Sequence, residues 1–331
     1  LLVTGAGPSG LASAYAAAKN GAKVILAEDK PRYGGTLLTD DVSIDNMSGK
    51  DWSEKIISEL KTMPNVTLKN RSQVFGYYDH NMMVMFERVG DHLSNKSKYT
   101  PRQRLWYIRA KETILSTGSI ERPIVFGNND TPGVVLSSAA KEYMKVYGVL
   151  VGRKPIIFTN NDSAYETAFE FKKNNVEPII LDTREEHDSE VVQEAKNKGI
   201  QIKFSYGVIV ANGYKKVKSA KIGKLTKDKK SFESTETINC DCICVSGFWT
   251  PTVHLASQSG NKLKFDEKID AFIPDKSKQN EKTIGAANGS FTLQETIESG
   301  FKTGSELSSK ITDKNNENKR PTVTETKYSV H

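Results

Sequence analysis

The sequence opens on an apolar strand, Leu1-Leu2-Val3-Thr4, that runs directly into Gly5-Ala6-Gly7-Pro8-Ser9-Gly10, and this joint constrains the fold more than any other feature. Each glycine of a G-x-G-x-x-G turn answers a mechanical need. Gly5 lets the chain turn sharply out of the strand, Gly7 lets the backbone approach a pyrophosphate, and Gly10 lets the next helix pack close to the strand. Phosphates then meet the amino end of that helix, where unpaired N–H groups and the helix dipole favour an anion. Ala12, Ala14, Ala16, Ala17 and Ala18 predict a small-residue helix over 8–20, and Glu28 closes a second strand over 23–28. A carboxylate at that strand end accepts both ribose hydroxyls and repels a 2′-phosphate. Glu28 therefore predicts NAD or FAD over NADP, a preference that Lys30 and Arg32 soften.

Three further runs extend the predicted nucleotide site. Gly34-Gly35-Thr36 offers a second close backbone approach and a hydroxyl. Ser116-Thr117-Gly118 ends an apolar strand that flanks the nucleotide, with Thr117 and Gly118 as contacts. The run from Thr283 to Gly289 precedes an amphipathic segment at 293–311, bringing a last strand and a helix amino end to the other half of the cofactor; Ala287 and Thr292 are the contacts expected there.

A second βαβ pattern occupies 154–182, with strands at 155–159 and 177–182 around a helix at 163–173. Where a phosphate turn needs glycines it carries Thr159-Asn160-Asn161-Asp162-Ser163-Ala164, whose side chains block close approach while Asp162 repels an anion. One dinucleotide is expected, in the first unit. The alternation predicts an α/β fold class with two Rossmann-like, FAD/NAD(P)-binding domains, and analogy with the plan of two-dinucleotide-domain flavoproteins makes the second an insertion into the first. Residues 1–150 read as the first part of the first domain, 151–248 as the insertion, 249–311 as the return, and 312–331 as a polar linker toward a further module. Between the two patterns lie a helix at 51–63, strands with a hairpin turn at Asp79-His80-Asn81, and strands at 105–110 and 112–117. More strands follow at 200–246, and 283–286 reads as the last of them. Because Leu1 already lies within the first strand, the chain reads as a segment of a longer polypeptide.

Other functions find little support. The sequence has no apolar run of the roughly 18 residues that cross a bilayer, so no membrane is expected. Lysine and arginine exceed aspartate and glutamate by 47 − 40 = 7, but they are interspersed with acidic residues, so nucleic acid is not expected either. The cysteines, Cys240, Cys242 and Cys244, alternate along a strand and read as buried side chains on one face, with no metal site, no C-x-x-C pair and no disulfide framework. That usage suggests a reducing, cytoplasmic setting. His80, His92, His187 and His254 have no carboxylate partner that the sequence assigns, Ser9 and Ser163 read as helix-start residues, and no catalytic residue is named.

Longer runs carry a more specific signal. Val74-Phe75-Gly76-Tyr77-Tyr78-Asp79-His80-Asn81, the run from Arg102 to Lys111, the run from Glu121 to Val134, Thr159 to Tyr165, and Trp249-Thr250-Pro251-Thr252-Val253-His254-Leu255 resemble signatures of the alpha subunits of bacterial heterotetrameric sarcosine oxidases. The resemblance covers nearly all of 1–310. It implies a subunit that holds NAD noncovalently, with FAD and a covalent FMN on the partner beta subunit or its interface, and gamma and delta subunits completing the complex. It also implies oxidation of sarcosine to glycine on the beta subunit, with oxygen giving hydrogen peroxide and tetrahydrofolate giving methylenetetrahydrofolate. NAD contacts carried over from the family fall on Ser9, Glu28, Asp29, Lys30, Thr36 and the backbone at Val74. In that family a ferredoxin-like segment precedes this region and a folate-binding module follows it. Neither lies within these residues, so folate chemistry is not assigned to them. Phe248 stands where the family pattern calls for glycine. Two alternatives stay open: a self-contained FAD oxidoreductase of the pyridine-nucleotide-disulfide-reductase type, and the alpha subunit of a related amine or opine dehydrogenase.

Overall fold

The computed structural model describes residues 1–312 and 320–325. Its helices are α1 (Pro8–Lys19), α2 (Gly49–Thr62), α3 (Ser137–Tyr147), α4 (Tyr165–Lys173), α5 (Glu190–Asn197), α6 (His254–Gln258) and α7 (Leu293–Thr312). The chain divides into Leu1–Ile120 with Thr250–Glu325, and an inserted Glu121–Trp249.

The first unit is built on a parallel sheet in the order Glu281–Thr283, Thr113–Leu115, Leu2–Thr4, Val24–Ala27, Val66–Lys69. Leu2, Val3, Val24, Leu26 and Ile114 are at most 1% exposed, as the strands of a sheet covered on both faces require. One cover is the pair α1 and α7, which run parallel with small residues between them. A Cβ on Gly300 would stand 2.6 Å from the carbonyl oxygen of Ser9, and one on Gly304 2.3 Å from that of Ser13. Farther along, the Asn20 amide donates to Ser308 Oγ at 3.0 Å, and the rings of Tyr15 and Phe301 meet edge to face. The other cover includes an antiparallel sheet of Ser72–Tyr78, Met82–Arg88 and Gln103–Arg109. Its first hairpin turns through His80 (φ 60°) and Asn81 (φ 52°), the two positive angles of a type I′ turn.

The inserted unit repeats the plan. Val134–Leu136, Cys242–Ser246, Pro155–Thr159, Ile179–Asp182 and Gln201–Phe204 form a parallel sheet in that order. Helices α3, α4 and α5 belong to this unit, and an antiparallel sheet of Tyr206–Asn212, Ser219–Leu225 and Phe232–Asn239 follows.

Four sequence expectations change. Residues 121–150 belong to the inserted unit rather than to the first domain, because Val134–Leu136 pairs in parallel with Cys242–Ser246. The last strand of the first unit's parallel sheet is Glu281–Thr283 rather than 283–286, and Gly285–Asn288 is a 3-10 turn that Gly285 opens at φ +65°. Part of the expected linker is a strand, since Val323–Thr324 pairs antiparallel with Ser43–Ile44 and Val323 packs on the core of the first unit; 313–319 and 326–331 lie outside the described residues. Finally, the three thiols are all buried but do not share one face. Cys242 and Cys244 pack with Ile157, Ala168 and Ile180, whereas Cys240 precedes the strand and packs with Phe158 and Ile222. Burial pushes the Cys240 thiol up to about 12. Among the described residues no helix is long and apolar enough to cross a membrane, and no group of three potential metal ligands gathers.

Candidate dinucleotide site

The strand Leu2–Thr4 ends in Gly5 at φ +96°, a conformation that only glycine adopts without strain. A Cβ on Gly5 would stand 2.2 Å from the carbonyl oxygen of Ser116, where the neighbouring strand ends. The Ser116 hydroxyl lies 2.8 Å from the carbonyl oxygens of both Thr4 and Gly5, pinning the turn from the side. Helix α1 then begins with Gly7 as its N-cap and Pro8 in its first turn, with no side chain capping it. The amides of Gly7, Ser9 and Gly10 therefore have no carbonyl one turn back within the helix. A Cβ on Gly7 would meet no atom within 4 Å, so the turn faces open space where a phosphate would need it.

Two more segments close around this turn. Gly34 and Gly35 adopt φ +125° and +55°, the Gly34 amide donates to the carbonyl of Ala6 at 2.8 Å, and a Cβ on Gly35 would stand 2.8 Å from Gly7 Cα. Thr36 follows in a 3-10 turn with an exposed side chain, its carbonyl accepting from the amides of Thr39 (2.9 Å) and Asp40 (2.8 Å). Glu28, at the end of Val24–Ala27, is 7% exposed. Its Oε2 accepts from the Ala6 amide at 2.7 Å and its Oε1 from the Lys30 amide at 3.0 Å. Burial, then the neighbouring Asp29 carboxyl, push Glu28 up to about 7. Asp29 and Lys30 are exposed beside it. Val74 lies two residues beyond Ser72, whose amide donates to the Glu28 carbonyl at 2.7 Å; the Val74 side chain is buried and its strand bulges between Val74 and Gly76.

The remaining expected residues are placed differently. The Thr117 hydroxyl donates to the carbonyl of Thr252 at 2.9 Å, so its proton is already engaged. Gly118 has φ +71° and open space at its missing Cβ. Ala287 is 0% exposed, which leaves no side-chain surface for a ligand. Thr292 caps α7, its Oγ1 accepting from the Glu295 amide at 3.3 Å. At the same helix end the two oxygens of Glu325 accept from the amides of Leu293 (2.7 Å) and Gln294 (3.0 Å). Sequence reading missed Ser116 as the residue that pins the turn, and it missed Glu325. It also passed over Gly300 and Gly304, although glycines four apart on one helix mark a close helix contact.

The corresponding turn of the inserted unit is filled by its own side chains. Asn161 Oδ1 accepts from the amide of Ser163 (3.1 Å) and from its hydroxyl (2.6 Å), and the Asn161 amide group donates to Ser246 Oγ at 3.0 Å. Arg184 lies 2.7 Å from both Asp162 and Asp182, and the Tyr165 hydroxyl donates to Asp182 at 2.8 Å. The carboxylate at the end of the second strand, Asp182, thus faces an internal guanidinium rather than a ribose.

A family model described as FAD dependent oxidoreductase matches residues 1–83. Over 311 residues the chain is 34% identical to a sarcosine oxidase subunit alpha of Corynebacterium sp. (strain P-1), covering 92% of this chain and 32% of that protein. It is 36% identical over 288 residues to the protein of the same name from Rhizobium meliloti (strain 1021), covering 87% and 28%. The chain thus spans about a third of the length of these relatives. Among solved structures, thioredoxin reductase of T. acidophilum superposes with a TM-score of 0.69 at 16% identity, over 94% of this chain and 97% of that one, which shows a shared fold.

Proposed function

We propose, from the premise that this chain belongs to the sarcosine oxidase alpha-subunit family and matches one region of it, that it is the part of such a subunit that holds one dinucleotide, NAD, noncovalently. The observation that carries this reading is the contrast between the two phosphate turns. At Gly7 the turn is open to a ligand, whereas the turn at Asn161 and Asp162 is packed with side chains. A chain with one nucleotide site passes no electrons from nicotinamide to flavin by itself, which directs the chemistry to partner subunits.

The residues at hand fit the group. The amides of Gly7, Ser9 and Gly10 would face the pyrophosphate, Glu28 would take the adenosine ribose hydroxyls, and Gly34-Gly35-Thr36 would close over the phosphates. Asp29, Lys30 and the Val74 backbone would line the adenosine end; Thr117, Gly118, Ala287 and Thr292 would lie toward the other half, Ala287 through its backbone alone. Bound NAD supplies a hydride acceptor. At the level of the whole complex, the reading is oxidation of sarcosine to glycine on a beta subunit carrying FAD and FMN, with gamma and delta subunits present, oxygen reduced to hydrogen peroxide and tetrahydrofolate converted to methylenetetrahydrofolate. A cytoplasmic setting accords with the buried, unpaired cysteines.

The second reading, FAD in the first site, is favoured by the FAD dependent oxidoreductase match to residues 1–83. Denaturing the purified protein and identifying the released nucleotide by absorbance and mass separates the two: NAD without flavin supports the proposal, and FAD overturns it. Purified alone, the protein is expected to form no peroxide from sarcosine, and clear turnover would place the amine-oxidising site within this chain.

A further inference from the structure

Helices α1 and α7 run parallel with Ser9 beside Gly300 and Ser13 beside Gly304. Leu293, at the amino end of α7, stands seven residues before Gly300, so at 1.5 Å per residue α7 overhangs the level of Ser9 by about 10 Å. The overhang has a direction. Glu28 ends the strand on one side of Leu2–Thr4, and α7 follows the strand Glu281–Thr283, which lies beyond Thr113–Leu115 on the other side. A dinucleotide with its pyrophosphate at Gly7 and its adenosine at Glu28 therefore carries its second ring toward the amino end of α7.

That helix end already holds a charge from the chain itself. Glu325 sits on the amides of Leu293 and Gln294, and it is held there by more than these two bonds. Val323–Thr324 pairs with Ser43–Ile44, the Asp45 amide donates to the Thr322 carbonyl at 2.8 Å, and the Thr322 amide returns a bond to Asp45 Oδ1 at 2.9 Å. An uncapped helix amino end carries about half a positive charge and favours an anion beside it. The Glu325 carboxyl group seated on it opposes that partial positive charge.

We propose that Glu325 determines which redox ring the site accepts: it favours the cationic ring of oxidised nicotinamide and disfavours a ring that becomes anionic on reduction, as a flavin does. This rests on the dinucleotide reading above, and it assigns the choice of the second half of the cofactor to a residue far in sequence from the glycine turn.

The test uses the purified protein and three probes: NAD⁺, NADH and ADP-ribose, which lacks the nicotinamide. For Glu325→Gln, which keeps an acceptor for the Leu293 or Gln294 amide, NAD⁺ affinity is expected to fall about 3- to 10-fold, while NADH and ADP-ribose stay within about 2-fold. Equal changes for all three probes, or no change for NAD⁺, overturn the role of Glu325 while leaving the dinucleotide site intact. If ADP-ribose does not bind the unaltered protein, both readings fall. Should the variant not fold, the unaltered protein still decides: NAD⁺ must bind more tightly than NADH, with the ratio falling toward one as salt rises from 0.05 to about 0.5 M, because screening weakens the contribution of the carboxylate. Equal or tighter binding of NADH overturns the proposal.

Discussion

A Cβ on Gly10 would stand 1.9 Å from the carbonyl oxygen of Gly5, whereas one on Gly7 would meet nothing within 4 Å. The two positions therefore fail in different ways. Gly10→Ala is expected to cost about 3 kcal/mol of stability, since backbone on both sides must move to admit the methyl. Gly7→Val is expected to keep stability within about 1 kcal/mol, its backbone at φ −73° being open to any residue, and yet to lose nucleotide retention. Thermal unfolding and nucleotide mass analysis of both variants check the pair.

Glu28 carries a pH dependence. Its carboxyl titrates at about 7, so the acceptor form that ribose requires grows in as pH rises from 6 to 8. ADP-ribose affinity is expected to rise over that range, as calorimetric titration would show. Glu28→Ala is expected to weaken binding by about 1 to 3 kcal/mol and to remove the rise.

Glu281 affects stability instead. It is 7% exposed, Asn261 donates to its Oε1, its Oε2 makes no hydrogen bond, and burial lifts it to about 7. Between about pH 5 and 7 the folded state therefore holds a proton that the unfolded chain has lost, so this group makes stability fall as pH rises through that window. Glu281→Gln keeps the acceptor for Asn261 and is expected to flatten that slope and to be the more stable protein at pH 8, measured by urea unfolding.

Phe248 occupies the left-handed region at φ +86°, with the Arg122 guanidinium 5.2 Å from its ring centroid. Truncation to alanine removes the ring and keeps the strain, whereas glycine removes both. Phe248→Gly is therefore expected to be more stable than Phe248→Ala by about 1 kcal/mol. Glycine is the residue this backbone angle suits best.

Arg184 neutralises Asp162 and Asp182, which are 3% and 0% exposed. Arg184→Met is expected to cost about 3 to 5 kcal/mol, because two buried carboxylates lose their cation. No nucleotide site is expected to open in its place, since Asn161 and Ser163 still fill the turn.

What the sequence made legible was local. The turn from Gly5 to Gly10, the carboxylate at Glu28 and the hairpin turn at Asp79-His80-Asn81 each follow from spacing and residue type within a short window. The parts that escaped depend on distant partners. Ser116 acts on Gly5 across 111 positions and Glu325 on Leu293 across 32, and no periodicity announces either contact. The division after Ile120 was hidden for the same reason: Val134–Leu136 is a three-residue strand of half-buried side chains whose partner, Cys242–Ser246, lies far downstream. Cys240 misled because alternation predicts one shared face only while the strand continues, and here the strand begins at Cys242.

The insertion of Glu121–Trp249 also orders events during synthesis. Residues 1–120 leave the ribosome with the strands Leu2–Thr4, Val24–Ala27, Val66–Lys69 and Thr113–Leu115 in hand, but the edge strand Glu281–Thr283 and the whole of α7 are still to come. The small-residue face of α1, with Ser9 and Ser13, thus stays uncovered while the complete inserted unit emerges. That unit has all five strands of its own parallel sheet as soon as Ser246 is made, so it is free to close before the first unit, although residues 1–120 are translated ahead of it.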